Sequence, residues 1–184
     1  MWVWIVVAIV VVVVLWAVVA YNGLVKLRNL VQEAWHQIDT ELQRRHDLIP
    51  NLVETVKGYA AHERATFEAV TEARAAAANP GQSPAEQAKQ ENVLTQALGR
   101  LFAVAEAYPE LKANVNFLQL QTELANTEDR VAAGRRFYNA NVRDFNTRIE
   151  TVPTSIIANM FHFVQAEYFE TEDPAARQAP TVSF

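Results

Sequence analysis

The run MWVWIVVAIVVVVVLWAVVA, residues 1–20, contains no charged or strongly polar side chain, and the first side-chain charge is Lys26. At about 1.5 Å per helical residue such a run spans roughly 30 Å, the thickness of bilayer hydrocarbon. A helix lying on a water-soluble domain shows a polar face, and this run has none. Trp2, Trp4, Trp16 and Tyr21 sit near its ends, as aromatics do at headgroup level. Residues 1–21 therefore read as a transmembrane anchor whose first partner is the lipid bilayer. The competing reading is a cleaved secretory signal, for which Val18 and Ala20 offer a small-residue pair. The length of the run and the lack of Lys or Arg before it favour an uncleaved span. With no cysteine, an acylated anchor is excluded.

Orientation follows from the basic residues. Lys26 and Arg28 lie just after the span, and Arg44 and Arg45 further on. Positive flanks stay in the cytoplasm, so the expectation is a single-pass protein with its N-terminus outside and the following domain cytoplasmic.

That domain is expected over residues 22–169, with an extended C-terminal tail at 170–184 carrying two prolines and little periodicity. A formal net charge of −5 and the lack of a basic arm argue against nucleic acid. Glycine is scarce, Val and Ile concentrate in the anchor, and no alternating strand pattern appears. The fold class is all-α: the transmembrane helix followed by an elongated antiparallel helical bundle of three long helices plus a short fourth.

Apolar residues recur three and four apart from Leu24 through Leu27, Val31, Trp35, Ile38 and Leu42, then Ile49, Leu52, Val56 and Tyr59, a coiled-coil-like stripe interrupted by Arg45. Because the stripe keeps its phase across Pro50, the expectation is one kinked helix continuing to about Asn79. Asn79-Pro80-Gly81 stops it. Ser83-Pro84-Ala85-Glu86 then starts a second helix with a capping box. Its inner face is read as Val93, Leu94, Ala97, Leu98, Leu101, Phe102 and Ala105. The third helix carries Phe117, Leu120, Leu124, Val131, Tyr138, Val142, Phe145, Ile149 and Val152, with Gly134 either a tolerated cost or a point of close helix approach. After Pro153, Thr154 or Ser155 is expected to cap a short helix from Ile156 to about Phe163.

Catalytic, cofactor and metal residues are all expected to be none. Glu33 and His36 form one Glu-x-x-His pair, whereas a di-iron bundle needs two pairs and further glutamates. His62 lacks a second histidine at zinc-ligand spacing. There is no thiol, no phosphate loop and no Gly-x-Ser-x-Gly elbow. The densest polar stretch is Gln43-Arg44-Arg45-His46-Asp47. Its plain reading is a solvated patch of weak ion pairs. The sharper reading rests on Arg45, which interrupts the first stripe, and on Glu128, which with Gln121 and Arg135 falls on the third: Arg45 and Glu128 either snorkel to solvent or join a buried polar pairing that sets helix register. Trp35 reads as core.

The segments YNGLVKLRNLVQEAWHQIDTELQRRHDLIPNLVETVKGYAAHE and YPELKANVNFLQLQTELANTEDRVAAGRRFYNANVRDFNTRI, with the ending YFE…QAPTVSF, resemble the LemA family of bacterial membrane proteins. The resemblance covers nearly the whole chain. It implies a membrane-anchored antiparallel helical bundle with a short outside N-terminus at the bacterial inner membrane, no settled activity and, by analogy, a scaffold or remodelling role. Its signature falls on Arg44, Arg45, Asp47, Leu48, Ile49, Pro50, Asn51, Leu52 and Val53, none of which it makes catalytic.

Two functions remain in view. One is a non-catalytic scaffold that self-assembles as a homo-oligomer and recruits membrane or cytoplasmic proteins, with Ile156, Ile157, Met160, Phe161 and Phe163 as the candidate assembly surface, because that cluster is dense for a small domain. The other is a small-ligand or signal-sensing module, which needs a cavity with polar groups converging around Arg45 and Glu128.

Overall fold

The computed structural model describes residues 1–170, and among these the secondary structure is helical throughout. Six helices follow in order: α1 Trp2–Lys57, α2 Arg64–Ala77, α3 Pro84–Glu106, α4 Pro109–Lys112, α5 Val115–Glu150 and α6 Thr154–Met160. The all-α class is as the composition implies. The tail beyond residue 170 lies outside the described residues.

α1 is continuous from the apolar run into the polar stripe, and Gly23 and Pro50 both lie inside it. Its N-terminal part is long and apolar enough to cross a membrane, with a mean hydropathy of 3.2 and almost none of its surface covered. A helix that presents valine, leucine and tryptophan on every side has only a lipid phase to satisfy it. The chain is membrane-associated.

The helix expected to reach Asn79 stops at Lys57. Gly58 is a poor helix former, and the chain tightens after it: the N–H groups of Tyr59 and Ala60 both donate to the Val56 carbonyl, at 3.0 and 2.9 Å. The break is silent in the periodicity because Ala60 falls four residues after Val56, keeps the phase and is buried. α2 then turns Phe67, Val70, Ala73 and Ala77 inward. The start of α3 is as expected, the Ser83 Oγ accepting from the Glu86 N–H at 3.4 Å with Pro84 as first helical residue. The connection to α5 contains the one-turn α4. At the start of α5 the Asn114 side chain accepts from the Phe117 N–H at 3.0 Å and donates to the Tyr59 hydroxyl at 2.9 Å. In α6 the expected cap is corrected: Pro153 precedes the helix, and Thr154 is its first residue and buried.

The described residues divide into two compact units, one of Met1–Asp39 with Ala133–Tyr168, the other of Thr40–Ala132 with Phe169 and Glu170. The second unit has an apolar core of Ile49, Leu52, Val56, Val70, Leu94, Leu98, Leu101, Leu111, Phe117 and Leu124, each at most 4% exposed. Leu, Ala and Val at three- and four-residue spacing supply it. Val93, read as inward, is instead 52% exposed.

In the first unit, the end of α5 runs beside the first part of α1. A Cβ added at Gly134 would lie 3.0 Å from Ile38 Cγ1, so this glycine marks a close approach of the two helices. One turn on, Tyr138 packs against Trp35 with ring centroids 5.4 Å apart. The segment after α6 folds back on the same pair. Asn146 clasps the backbone of Ala166, accepting from its N–H and donating to its carbonyl, both at 2.9 Å, and the Tyr138 hydroxyl donates to the Glu167 carbonyl at 2.7 Å.

Candidate functional site

Arg45 stands on the buried stripe of α1 between Leu42 and Ile49, so helical geometry points its side chain inward, and it is 2% exposed. Burying a guanidinium is costly unless it is paired and hydrogen-bonded. Here the pairing comes from two other helices of the same unit. Nη1 donates to Glu91 Oε2 of α3 at 2.6 Å; Nη2 donates to Thr95 Oγ1 at 2.8 Å and to Glu128 Oε1 of α5. Its Nε, also buried, has no hydrogen-bond partner among the described residues.

Glu91, itself 2% exposed, is held at both oxygens. Oε2 takes the Arg45 bond, while Oε1 lies 2.8 Å from His46 Nε2 and accepts from Gln87 Nε2 at 3.0 Å. Gln87 also donates to the Ala77 carbonyl at the end of α2, at 2.8 Å. Arg45, Glu91, Glu128 and Gln87 thus tie α1, α2, α3 and the first part of α5 together.

Pro50 belongs to this arrangement. Proline has no N–H, so the carbonyl four residues earlier, that of His46, loses its helical donor. Arg74 of α2 supplies the replacement, donating from Nε to the His46 carbonyl at 2.7 Å. A position that is only a defect within α1 becomes an attachment point for α2.

The remaining signature residues divide by face. Ile49, Leu52 and Val53 are core, and Leu48 packs against it. Arg44, Asp47, Pro50 and Asn51 are exposed, with Arg44 3.6 Å from Glu41. Trp35 is half-buried against Tyr138 in the other unit. Of the expected assembly cluster, Ile157 is buried, Phe163 is half-buried, and Ile156, Met160 and Phe161 are exposed at 57, 64 and 53%.

Glu91, Gln87, Thr95 and Arg74 carry no reading from the sequence, and His46 enters there only as a member of the polar stretch 43–47. The signal for two of them was present: stepping back from Leu94 by three and seven places on α3 reaches Glu91 and Gln87, the same interruption of an apolar stripe that drew attention to Arg45.

Chemically, the cluster is closed. Both oxygens of Glu91 are spent on internal donors, and Glu128 gives one oxygen to Arg45 from a side chain that is 45% exposed, leaving a structural knot. Two open grooves lie elsewhere in this unit, one of about 360 Å³ lined by Asn51, Thr55, Asn116, Gln119, Leu120 and Glu123, the other of about 500 Å³ lined by Lys57, Arg64, Phe67, Glu68, Thr71 and Glu72. Neither includes Arg45 or Glu128.

Residues 34–184 match the LemA family. The chain belongs to that family. Among its relatives is Magnetosome protein MamQ 2 of Paramagnetospirillum magneticum, 28% identical over 180 residues, an alignment covering 84% of this chain and 66% of the relative. The Magnetosome protein MamQ of Magnetospirillum gryphiswaldense is 27% identical with the same coverage. Protein LemA of Metamycoplasma hominis is 29% identical over 155 residues, covering 83% of this chain and 69% of the relative. This LemA-family chain spans 66% of the MamQ relatives' own length. The family match includes the Arg45, Glu91 and Glu128 positions and begins after the apolar run.

Proposed function

We propose that this LemA-family chain is a non-catalytic structural protein, anchored once in the bacterial inner membrane by residues 1–21, with its N-terminus outside and its bundle cytoplasmic, where it assembles with further copies and recruits membrane or cytoplasmic proteins. The observation that carries the reading is the fate of the buried polar cluster among the described residues: Arg45, Glu91 and His46 are engaged in helix-to-helix bonds, and the half-exposed Glu128 gives one oxygen to Arg45. A sensing module needs such groups to converge on a cavity, and a catalyst needs a poised group facing one. Support also comes from the uncovered apolar run, from Lys26 and Arg28 after it, and from relatives named as magnetosome proteins.

Tethering confines copies to one surface, where weak lateral contacts accumulate. Mass measurement of the full chain in mild detergent and in nanodiscs should give an oligomer; a monomer across a wide concentration range would overturn the scaffold reading. Orientation is read separately. Because the natural chain has no cysteine, Ala61→Cys in the exposed turn before α2 provides a single thiol. It should resist membrane-impermeant thiol reagents in intact cells and react after lysis; reaction before lysis reverses the topology.

A further inference from the structure

We infer that the exposed apolar side chains of α6 and the turn after it, Ile156, Met160, Phe161 and Val164, are immersed in the bilayer interface beside the end of the anchor. The inference rests on the reading of residues 1–21 as a membrane span, and it assigns lipid, not a second copy, as the occupant of this surface.

The argument begins at Tyr21. It is the first residue after the apolar run, and a tyrosine at that place settles at headgroup level, ring toward the acyl chains and hydroxyl toward water. The turn that follows α6 is packed on that residue. The Phe161 ring lies 4.7 Å from the Tyr21 ring and the Phe163 ring 5.8 Å from it. Phe163 is further held by Phe145 at 6.4 Å and by the Arg28 guanidinium 5.4 Å over its face. The depth of this turn, and of the end of α6 that leads into it, is therefore tied to the depth of Tyr21, within one compact unit.

At that depth the exposure pattern acquires a cause. Ile157 faces inward and is 4% exposed, whereas Ile156 and Met160, one turn apart on the same face, are 57 and 64% exposed, with Phe161 at 53% and Val164 at 78%. Four large apolar side chains grouped on one short segment form an exposed patch that water penalises. The same patch next to a tyrosine at the membrane boundary needs no protein partner, because the interface itself accepts an apolar face. His162, in the left-handed region at φ 54°, turns the chain between Phe161 and Val164. Lys26 and Arg28, within two helical turns of Tyr21, add basic groups suited to anionic headgroups.

Single cysteines carrying an environment-sensitive NBD label test this in the full chain reconstituted into vesicles of phosphatidylcholine and phosphatidylglycerol. Met160→Cys and Ile156→Cys probe the surface, and Leu15→Cys reports the anchor. Phe137→Cys is the dry-land control: Phe137 is exposed, and its neighbour Tyr138 packs on Trp35, which lies about 21 Å along α1 from Tyr21 at 1.5 Å per residue. Labels at 160 and 156 should be quenched severalfold more by lipids brominated in the upper acyl chain than the label at 137, and should resist aqueous iodide that quenches the label at 137. Iodide quenching at 160 and 156 without bromolipid quenching overturns the inference. Protection from both quenchers also overturns it, since the occupant is then protein: a second copy if protection falls on dilution into excess lipid, the C-terminal tail if it persists. If the label at 15 also escapes bromolipid, the anchor itself is misread, a failure distinct from that of α6 alone.

Discussion

In the unit centred on Arg45, the contacts that choose one helix arrangement are ionic and directed: a guanidinium fork shared between α3 and α5, a glutamate held from both sides and a backbone carbonyl taken by Arg74. In the unit centred on Trp35 and Tyr138, they are aromatic faces, one glycine contact and hydrogen bonds to the carbonyls of Ala166 and Glu167. The difference follows from the side chains available. Around Arg45, the facing surfaces are mostly Leu, Val and Ala, whose uniform packing leaves helix register loosely specified. A buried charge with two fixed partners penalises every other register. Around Trp35, ring shape and the tight fit of Gly134 on Ile38 already distinguish one register from the next.

The comparison is broken most sharply at Arg45. Arg45→Leu leaves Glu91 buried without its guanidinium, and losing one partner of a buried pair costs about 3–5 kcal/mol. Urea unfolding of the full chain in mild detergent, followed by helical circular dichroism, should show that loss. The double variant Arg45→Leu with Glu91→Leu should recover part of it, because the stranded charge is gone. A cost for Arg45→Leu no larger than that of an ordinary surface substitution would mean that the charges do not hold this unit.

The matching test in the other unit is Gly134→Leu. With a Cβ already at 3.0 Å from Ile38, a full side chain must push α1 and α5 apart, and overpacking of this kind costs about 1–3 kcal/mol. Hydrogen exchange should report the loss in residues 24–38 and 138–149. Full retention of protection there would show that the close approach is not needed.

These two sites also show what can be read from a linear pattern. Arg45 and Glu128 announced themselves as polar residues on apolar stripes, and Gly134 as a glycine inside a helix. The capping box at Ser83 located the start of α3 because its chemistry is local. What escaped notice was settled by partners distant in sequence. The end of α1 at Lys57 was hidden because Ala60 preserves the stripe, and only the packing of α2 reveals the turn. Glu91 was reachable by extending the α3 stripe backward, but its partners, 45 and 46 residues earlier, were not. Arg74 carries no signal at all, since its bond is to a carbonyl freed by a proline on another helix.

That last pair yields a smaller effect. An interior proline replaced by alanine ordinarily returns about 3 kcal/mol. Here Pro50→Ala should return less, because the restored N–H competes with Arg74 for the His46 carbonyl. Arg74→Ala should cost on the order of 1.5 kcal/mol with Pro50 present, as for a hydrogen bond from a charged donor, and clearly less with alanine at position 50. A double-mutant cycle with additive terms would separate the two residues and leave Pro50 as a tolerated defect.

The smallest effect is a pH dependence at Tyr138. Burial of its phenol, reinforced by the negative charge of Glu167, pushes its pKa up from 10 to about 12. The folded state therefore holds the proton more tightly than the unfolded chain does. The resulting stabilisation is fully present below pH 10 and is lost as pH rises from there through 12. Absorbance titration of the five tyrosines should show a late-ionising component that Tyr138→Phe removes. The same substitution should cost about 1 kcal/mol at neutral pH, by leaving the Glu167 carbonyl without its donor, and should flatten the decline in stability above pH 10. If no late-ionising component is seen, or Tyr138→Phe leaves it in place, the Tyr138 phenol is open to water, and the polar clasp assigned to this unit does not close in solution.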